Sequence, residues 1–397
     1  MRKILPTVTQ HIWSVCFVVL MVAGVYAAYD RMLSFHSSPG PRLDLPWSLP
    51  GALNIVCGIA LAAGGFTVAA TIRAVRIARA RSLMQISVIS AFLGYLVACL
   101  GFVADQTVVM RIRALNANWT ANRITLAVNC GFVLFGVSLV AEFTSDFHFP
   151  PRWKPVAHAL AFIRTPLLWM DVLVSLFYQW VVGNALQLTP NASRLWVSPW
   201  LALLFFMSGT CAALAVGLMA SLHSQRSTSN PVDLKFLNGA RRVLATFVFL
   251  YIYARLADLL ERGQLSLLRA NRESSLLAIE MALFFIPMLV LASQTLPTAG
   301  VVYYCGAAIL AGFISNRLNT FITSLETRSQ TLHLASWHEF AISYSILVVG
   351  IVGFHLLTNR LPVFGISRAE VLGCYATRTG CDGLIQERAG GTSSRAL

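Results

Sequence analysis

The chain has 397 residues, 57% of them hydrophobic and only 12% charged, with a mean hydropathy of +0.68. Soluble domains carry about 25% charged residues, so a water-soluble fold is excluded; the apolarity also excludes disorder, and 26 Gly and 15 Pro spread through apolar runs exclude a coiled coil. The net charge of +14 comes from 27 Arg and 3 Lys, almost all in short segments between apolar runs, where they act as topology signals rather than as a nucleic-acid surface.

Crossing the hydrocarbon core takes about 20 apolar residues. Ten such spans follow in chain order, at 11–28, 51–75, 84–106, 124–143, 164–186, 197–221, 240–262, 276–296, 299–317 and 338–357. The sequence thus predicts an all-α polytopic membrane protein, with residues 1–365 as the membrane domain and 366–397 as a polar, disordered tail. Arg2 and Lys3 precede the first span, which lacks a small-residue cleavage site and reads as an anchor. An even number of spans puts both termini on one side. That side holds 18 Lys and Arg against 11 on the other, led by Arg73, Arg76, Arg79 and Arg81, so the termini are expected in the cytoplasm. Trp47-Ser48-Leu49-Pro50 and Trp196-Val197-Ser198-Pro199 precede the second and sixth spans. Each is followed by small residues, Ala62-Ala63-Gly64-Gly65 and Ala212-Ala213. This repeat predicts two similarly oriented bundles related by an axis along the membrane normal.

Ionisable groups at membrane depth are costly and are functional candidates by default. Towards the non-terminal side lie Asp105, Gln179, Arg255, Asp258, Glu280, Arg317 and Glu339; towards the terminal side lie Glu142, Asp171 and His355. Arg255 and Asp258, three apart on one helix face, are expected to pair and to reach towards water. Glu142 and Glu280 sit within mostly apolar runs, the latter seven residues before Pro287. A quinone head needs hydrogen-bond donors at its carbonyls and a group that exchanges protons; a transporter would use the same residue types. The eight histidines all lie in loops or near span ends, and none of the cysteines forms a CxxC pair. Neither haem nor an iron–sulfur cluster is therefore expected in this chain.

Several blocks, in order, resemble the NrfD/polysulfide reductase membrane-subunit family. They are Leu45-Pro46-Trp47 through Ala60-Leu61-Ala62-Ala63-Gly64-Gly65-Phe66, Ala91-Phe92-Leu93-Gly94-Tyr95 ending at Asp105, and Val140-Ala141-Glu142-Phe143. They continue with Leu195-Trp196 to Pro199, Leu203-Leu204-Phe205-Phe206, Tyr253-Ala254-Arg255-Leu256-Ala257-Asp258, and Glu280 with Pro287. Arg317-Leu318-Asn319, Ser336-Trp337-His338-Glu339 and Arg360-Leu361-Pro362-Val363 complete the series, which covers roughly residues 40–365. The likeness is greatest to the ten-span HybB branch, the integral membrane subunit of quinone-linked nickel–iron hydrogenases. Where that branch has His-Gln-Ser-Ser-Leu-Gly in the fifth span, this chain reads Tyr178-Gln179-Trp180-Val181-Val182-Gly183. Tyr178 is then the residue able to replace the missing donor.

The resemblance implies a haem-free subunit that exchanges electrons with menaquinone or ubiquinone in a bacterial inner membrane. It also implies a periplasmic iron–sulfur partner and a hydrogenase-like catalytic subunit. On this reading Glu142 and Glu280 carry protons. Asp105, Tyr178, Gln179, Arg255, Asp258 and Glu339 line a quinone site, and Glu142, Asp171 and His355 form part of an inner proton route. A secondary transporter, or the same subunit serving a molybdenum-type reductase or another quinone-linked complex, are the alternatives.

Overall fold

The computed structural model describes residues 18–30, 33, 48–76, 80–104, 121–144, 153–187, 193, 195–228, 234–264, 272–293, 298–323, 336–361 and 363. Asp105 and the tail at 366–397 lie outside the described residues. The described residues contain helices and no strand, and nine of the helices are long and apolar enough to cross a membrane. That is the expected polytopic all-α architecture. In lipid every backbone N–H and C=O must be satisfied internally, which a helix does within its own segment.

The first span is described as α1 (Val18–Asp30). Then come α2 (Gly51–Val75), α3 (Arg81–Ala104), α4 (Ala121–Phe143) and α5 (Lys154–Gln187). They are followed by α6 (Leu201–Thr228), α7 (Leu234–Glu261), α8 (Arg272–Ala292), α9 (Ala299–Leu318, continued by a π turn over Asn319–Thr323) and α10 (Trp337–Arg360). Helix α2 itself opens with a π turn over Gly51–Val56, where Ser48 Oγ accepts from the Gly51 amide at 3.2 Å. It ends at Arg76 in the left-handed conformation, φ 56°.

Most sequence-predicted bounds agree with the helices to within a few residues. The largest difference is α5, which begins ten residues before the predicted 164. Its Pro155 sits in the first turn, where proline is favourable, and Pro166 is carried inside the helix, as membrane neighbours allow. Its 34 residues span about 51 Å at 1.5 Å per residue, longer than the roughly 30 Å core.

Helices α2, α3, α4 and α5 pack as one closed ring, each against the next, and α6, α7, α8 and α9 form a second ring in the same order. The rings share the α2–α6 contact, while α10 packs on α3. This is the two-bundle arrangement that the repeated Trp–Pro motif predicts, and the two helices that follow the motif make the most extensive contact between the bundles, with α3 and α5 also packing on α6. Without a hydrophobic drive between helices in lipid, close approach depends on small residues. Gly64 of α2 lies against the Gly209 backbone of α6, Gly58 against Gly94 of α3, and a Cβ at Gly65 would come within 2.7 Å of the Ser87 carbonyl.

The outward faces are apolar. Phe162, Trp169, Phe177 and Trp180 of α5, Phe249 and Tyr253 of α7, and Phe285 and Leu289 of α8 are all exposed. Exposed apolar area of this extent needs a lipid environment.

Candidate functional site

The helix ends at Arg73, Glu142, Arg164 and Arg241 lie on one side and are called here the arginine-rich end. At the opposite end, the second bundle encloses a buried polar cluster built around Glu280 of α8. Its Oε1 accepts from Asn316 Nδ2 at 2.8 Å and from the Tyr251 hydroxyl at 3.5 Å. Its Oε2 accepts from Asn319 Nδ2 at 3.1 Å and from the Trp196 indole at 3.4 Å. The amide bonds are short and the tyrosine and tryptophan contacts are at the limit of hydrogen bonding. The donors arrive from the segment before α6, from α7 and from α9. The π turn that follows Leu318 sets the register of Asn319, which with Asn316 brackets the carboxylate.

Arg317, next to Asn316, is fully buried. One terminal nitrogen donates to Asn316 Oδ1, so the amide joins guanidinium to carboxylate. The other donates to the Phe205 carbonyl and to Ser208 Oγ, both at 3.0 Å. The guanidinium carbon sits 4.0 Å from the centroid of Phe205 and 4.8 Å from that of Phe313, faces that attract a cation. Its Nε–H donates to nothing.

Asp258 lies towards the same end of α7, also fully buried. The expected Arg255–Asp258 pair forms at 3.7 Å, but the tighter partner is Arg262, one turn on, at 2.5 and 2.9 Å. Ser198 also donates to Asp258. Arg255 donates to the Leu195 carbonyl at 3.1 Å, and its Nε–H is unbonded. Arg255 and Asp258 are both buried, so neither reaches towards water as the sequence reading expects; the loop residues Leu195 to Ser198 close over them instead.

The first bundle holds the other candidates. Tyr178 stacks on Tyr95 with centroids 5.7 Å apart. Their hydroxyls donate to the Ala127 and Val128 carbonyls of α4 at 2.7 and 3.0 Å, which pins three helices together. Gln179 is buried with an unbonded Nε2, and Asn54, in the π turn of α2, is buried with neither amide atom bonded. At the arginine-rich end, Arg73 donates to both oxygens of Glu142 at 2.5 and 2.6 Å. Asp171 is fully buried. His355, exposed on α10, meets Asn359 at 2.9 Å, and it makes no contact with the Arg73–Glu142 pair or with Asp171 among the bonds that the described residues form. Glu339 accepts from the Leu49 amide at 3.0 Å and fastens the start of α10 to the start of α2.

The structure therefore brings Arg255, Asp258 and Glu280 to one end of the second bundle and Tyr178 and Gln179 to the first. Sequence reasoning gave no site role to Trp196, Tyr251, Asn316 and Asn319. Asn316, Arg317, Asn319 and Thr320, four polar residues in one turn of an apolar span, are the signal that marks them. Among the described residues no three His, Cys, Asp or Glu side chains gather as a metal site.

No family model matches the chain. A protein of Nitratidesulfovibrio vulgaris (strain Hildenborough) is similar to it, 22% identical over 340 residues that cover 80% of this chain and 85% of that one.

Proposed function

We propose that this chain is the haem-free, quinone-reactive integral subunit of a multisubunit oxidoreductase of the bacterial inner membrane. It passes electrons between a periplasmic iron–sulfur subunit and menaquinone or ubiquinone, with a hydrogenase-like catalytic subunit further out and both termini in the cytoplasm. The ordered motifs that resemble the NrfD family support the reading. The observation that carries it is the buried polar cluster around Glu280 and Arg317, beside Arg255, with two unbonded Nε–H groups, on Arg255 and Arg317.

A buried donor left unbonded costs about 1–3 kcal/mol, a cost that a carbonyl oxygen of a quinone head would remove. The buried guanidiniums of Arg255 and Arg317 favour an oxygen that gains negative charge. Glu280, held by amide donors on a neutral framework, is the group placed to give or take the proton, and the apolar outer faces of α7 and α8 suit an isoprenoid tail.

The test compares dye-linked and quinone-linked activity of the intact complex with Glu280→Gln. Removing a general acid or base lowers rate by about 10²–10⁴-fold. The quinone-linked rate should fall by about that factor and the dye-linked rate should hold, with unfolding temperature measured as a control. Equal quinone-linked rates overturn the assignment. Substrate flux through the purified chain alone in liposomes identifies a secondary transporter instead.

A further inference from the structure

In the first bundle Asp171, which the quinone reading puts on an inner proton route, has a polar neighbour that the reading does not name. Asp171 lies seven residues beyond Arg164 on α5, about 10 Å further along the axis at 1.5 Å per residue. It is fully buried, and neither carboxylate oxygen accepts a hydrogen bond. Ser138 of α4 is buried beside it, its hydroxyl within interaction distance of the carboxylate but short of hydrogen-bond geometry.

The other buried carboxylates have clear partners. Asp258 and Glu280 are each surrounded by donors, and Glu142 has Arg73. The charges on elements packed around Asp171 gather nearer the arginine-rich end. Arg73 of α2 pairs there with Glu142 of α4, and Arg164 on α5 itself is within electrostatic reach of both. Helix α6 meets α5 further along, where Gly183 packs on Ala202. An ionised carboxylate with no donor and no counter-charge is too costly at this depth, and binding a proton is the least costly remedy. A neutral acid beside a free hydroxyl then has a donor and an acceptor to match.

We propose that Asp171 and Ser138 form a proton-holding site in the first bundle that exchanges with the arginine-rich end through Glu142. Ser138 is one turn from Glu142 on α4, so the two share a face. From Asp171 the buried face of α5 continues through Ser175 and Gln179 at one-turn steps, and Gln179 Nε2 is unbonded. This stripe leads towards the end that holds the Glu280 cluster. A proton enters from water at Glu142, passes the Ser138 hydroxyl, and resides on an Asp171 oxygen as an O–H; no other bond forms or breaks.

The site stands on helix geometry and does not depend on quinone being the carrier, so infrared spectroscopy of the full chain in liposomes tests it alone. With aspartate isotopically labelled, a carbonyl band of a protonated acid should be present at neutral pH, shift down in heavy water, and vanish in Asp171→Asn. Ser138→Ala should move the band without removing it. Glu142→Gln should slow its exchange in heavy water several-fold. If Asp171→Asn does not fold, Asp171→Glu should relocate the band from the labelled aspartate to glutamate. Coincident wild-type and Asp171→Asn spectra overturn the proposal. So does loss of the band on adding sodium ions, which makes this an alkali-cation site, and an exchange rate indifferent to Glu142→Gln overturns the route.

Discussion

Glu142 is held at the membrane edge by Arg73, which reaches it from another helix, with Arg164 within electrostatic reach of both. The carboxylate is 3% exposed and the guanidinium 13%. Removing one partner of a buried ion pair costs about 3–5 kcal/mol, and the partial exposure of Arg73 puts this pair towards the lower end. Arg73→Ala should therefore lower the unfolding free energy by about 3 kcal/mol, and Arg73→Met with Glu142→Met should restore most of it. Chemical unfolding in detergent measures both; an additive double variant sinks the pairing. The sequence marks Glu142 as unusual because a carboxylate in an apolar run is conspicuous, but it shows Arg73 only as a loop charge. The partner is 69 residues away, and no local spacing encodes that. Asp258 shows the reverse. Spacing along the helix suggests Arg255, yet Arg262, one turn the other way, is nearer because the Leu195 carbonyl holds Arg255 and the Val197 carbonyl holds Arg262.

Between helices the contacts are governed by what is absent. Gly131 of α4 lies where the hydroxyls of Tyr178 and Tyr95 converge, and a Cβ there would come 2.5 and 2.6 Å from them. Gly131→Ala should push both rings off the α4 carbonyls and cost about 1–3 kcal/mol, the usual range for overpacking. Adding Tyr178→Phe removes one of the two obstructing oxygens and should recover part of the loss, read as unfolding temperature in detergent. If Gly131→Ala is as stable as the parent, the three-helix pin does not exist as described. Nine of the ten predicted spans are legible because hydropathy and length decide a span, while the described part of the first, Val18–Asp30, is shorter than a crossing helix. Which helices touch was legible only where a motif repeats, as before α2 and α6. The turn of Asn316 to Thr320 carried its polarity openly, but its aim at Glu280 depends on the π turn, and nothing in the residue pattern forces that register.

The two bundles run in parallel, so their arginine-rich ends lie on one face and the Glu280 cluster approaches the other. This polarity makes an orientation test decisive for the whole molecule. Lys and Arg near span ends are retained on the cytoplasmic side, and Arg73, Arg164, Arg241 and Lys154 all sit at the same end. Lys154 is exposed at the start of α5, while Gln264 follows the left-handed Gly263 beyond the far end of α7. In a background with the native cysteines replaced, Gln264→Cys in intact cells should react with a membrane-impermeant maleimide. Lys154→Cys should react only after the membrane is opened. With that labelling the Glu280 cluster would face the periplasm, where the proposed iron–sulfur partner would deliver electrons, and the proposed Asp171 site would fill from the cytoplasm. The opposite labelling pattern would turn both sites around and place the cluster beyond the reach of any periplasmic donor, which would remove the electron-transfer reading at the level of the whole protein.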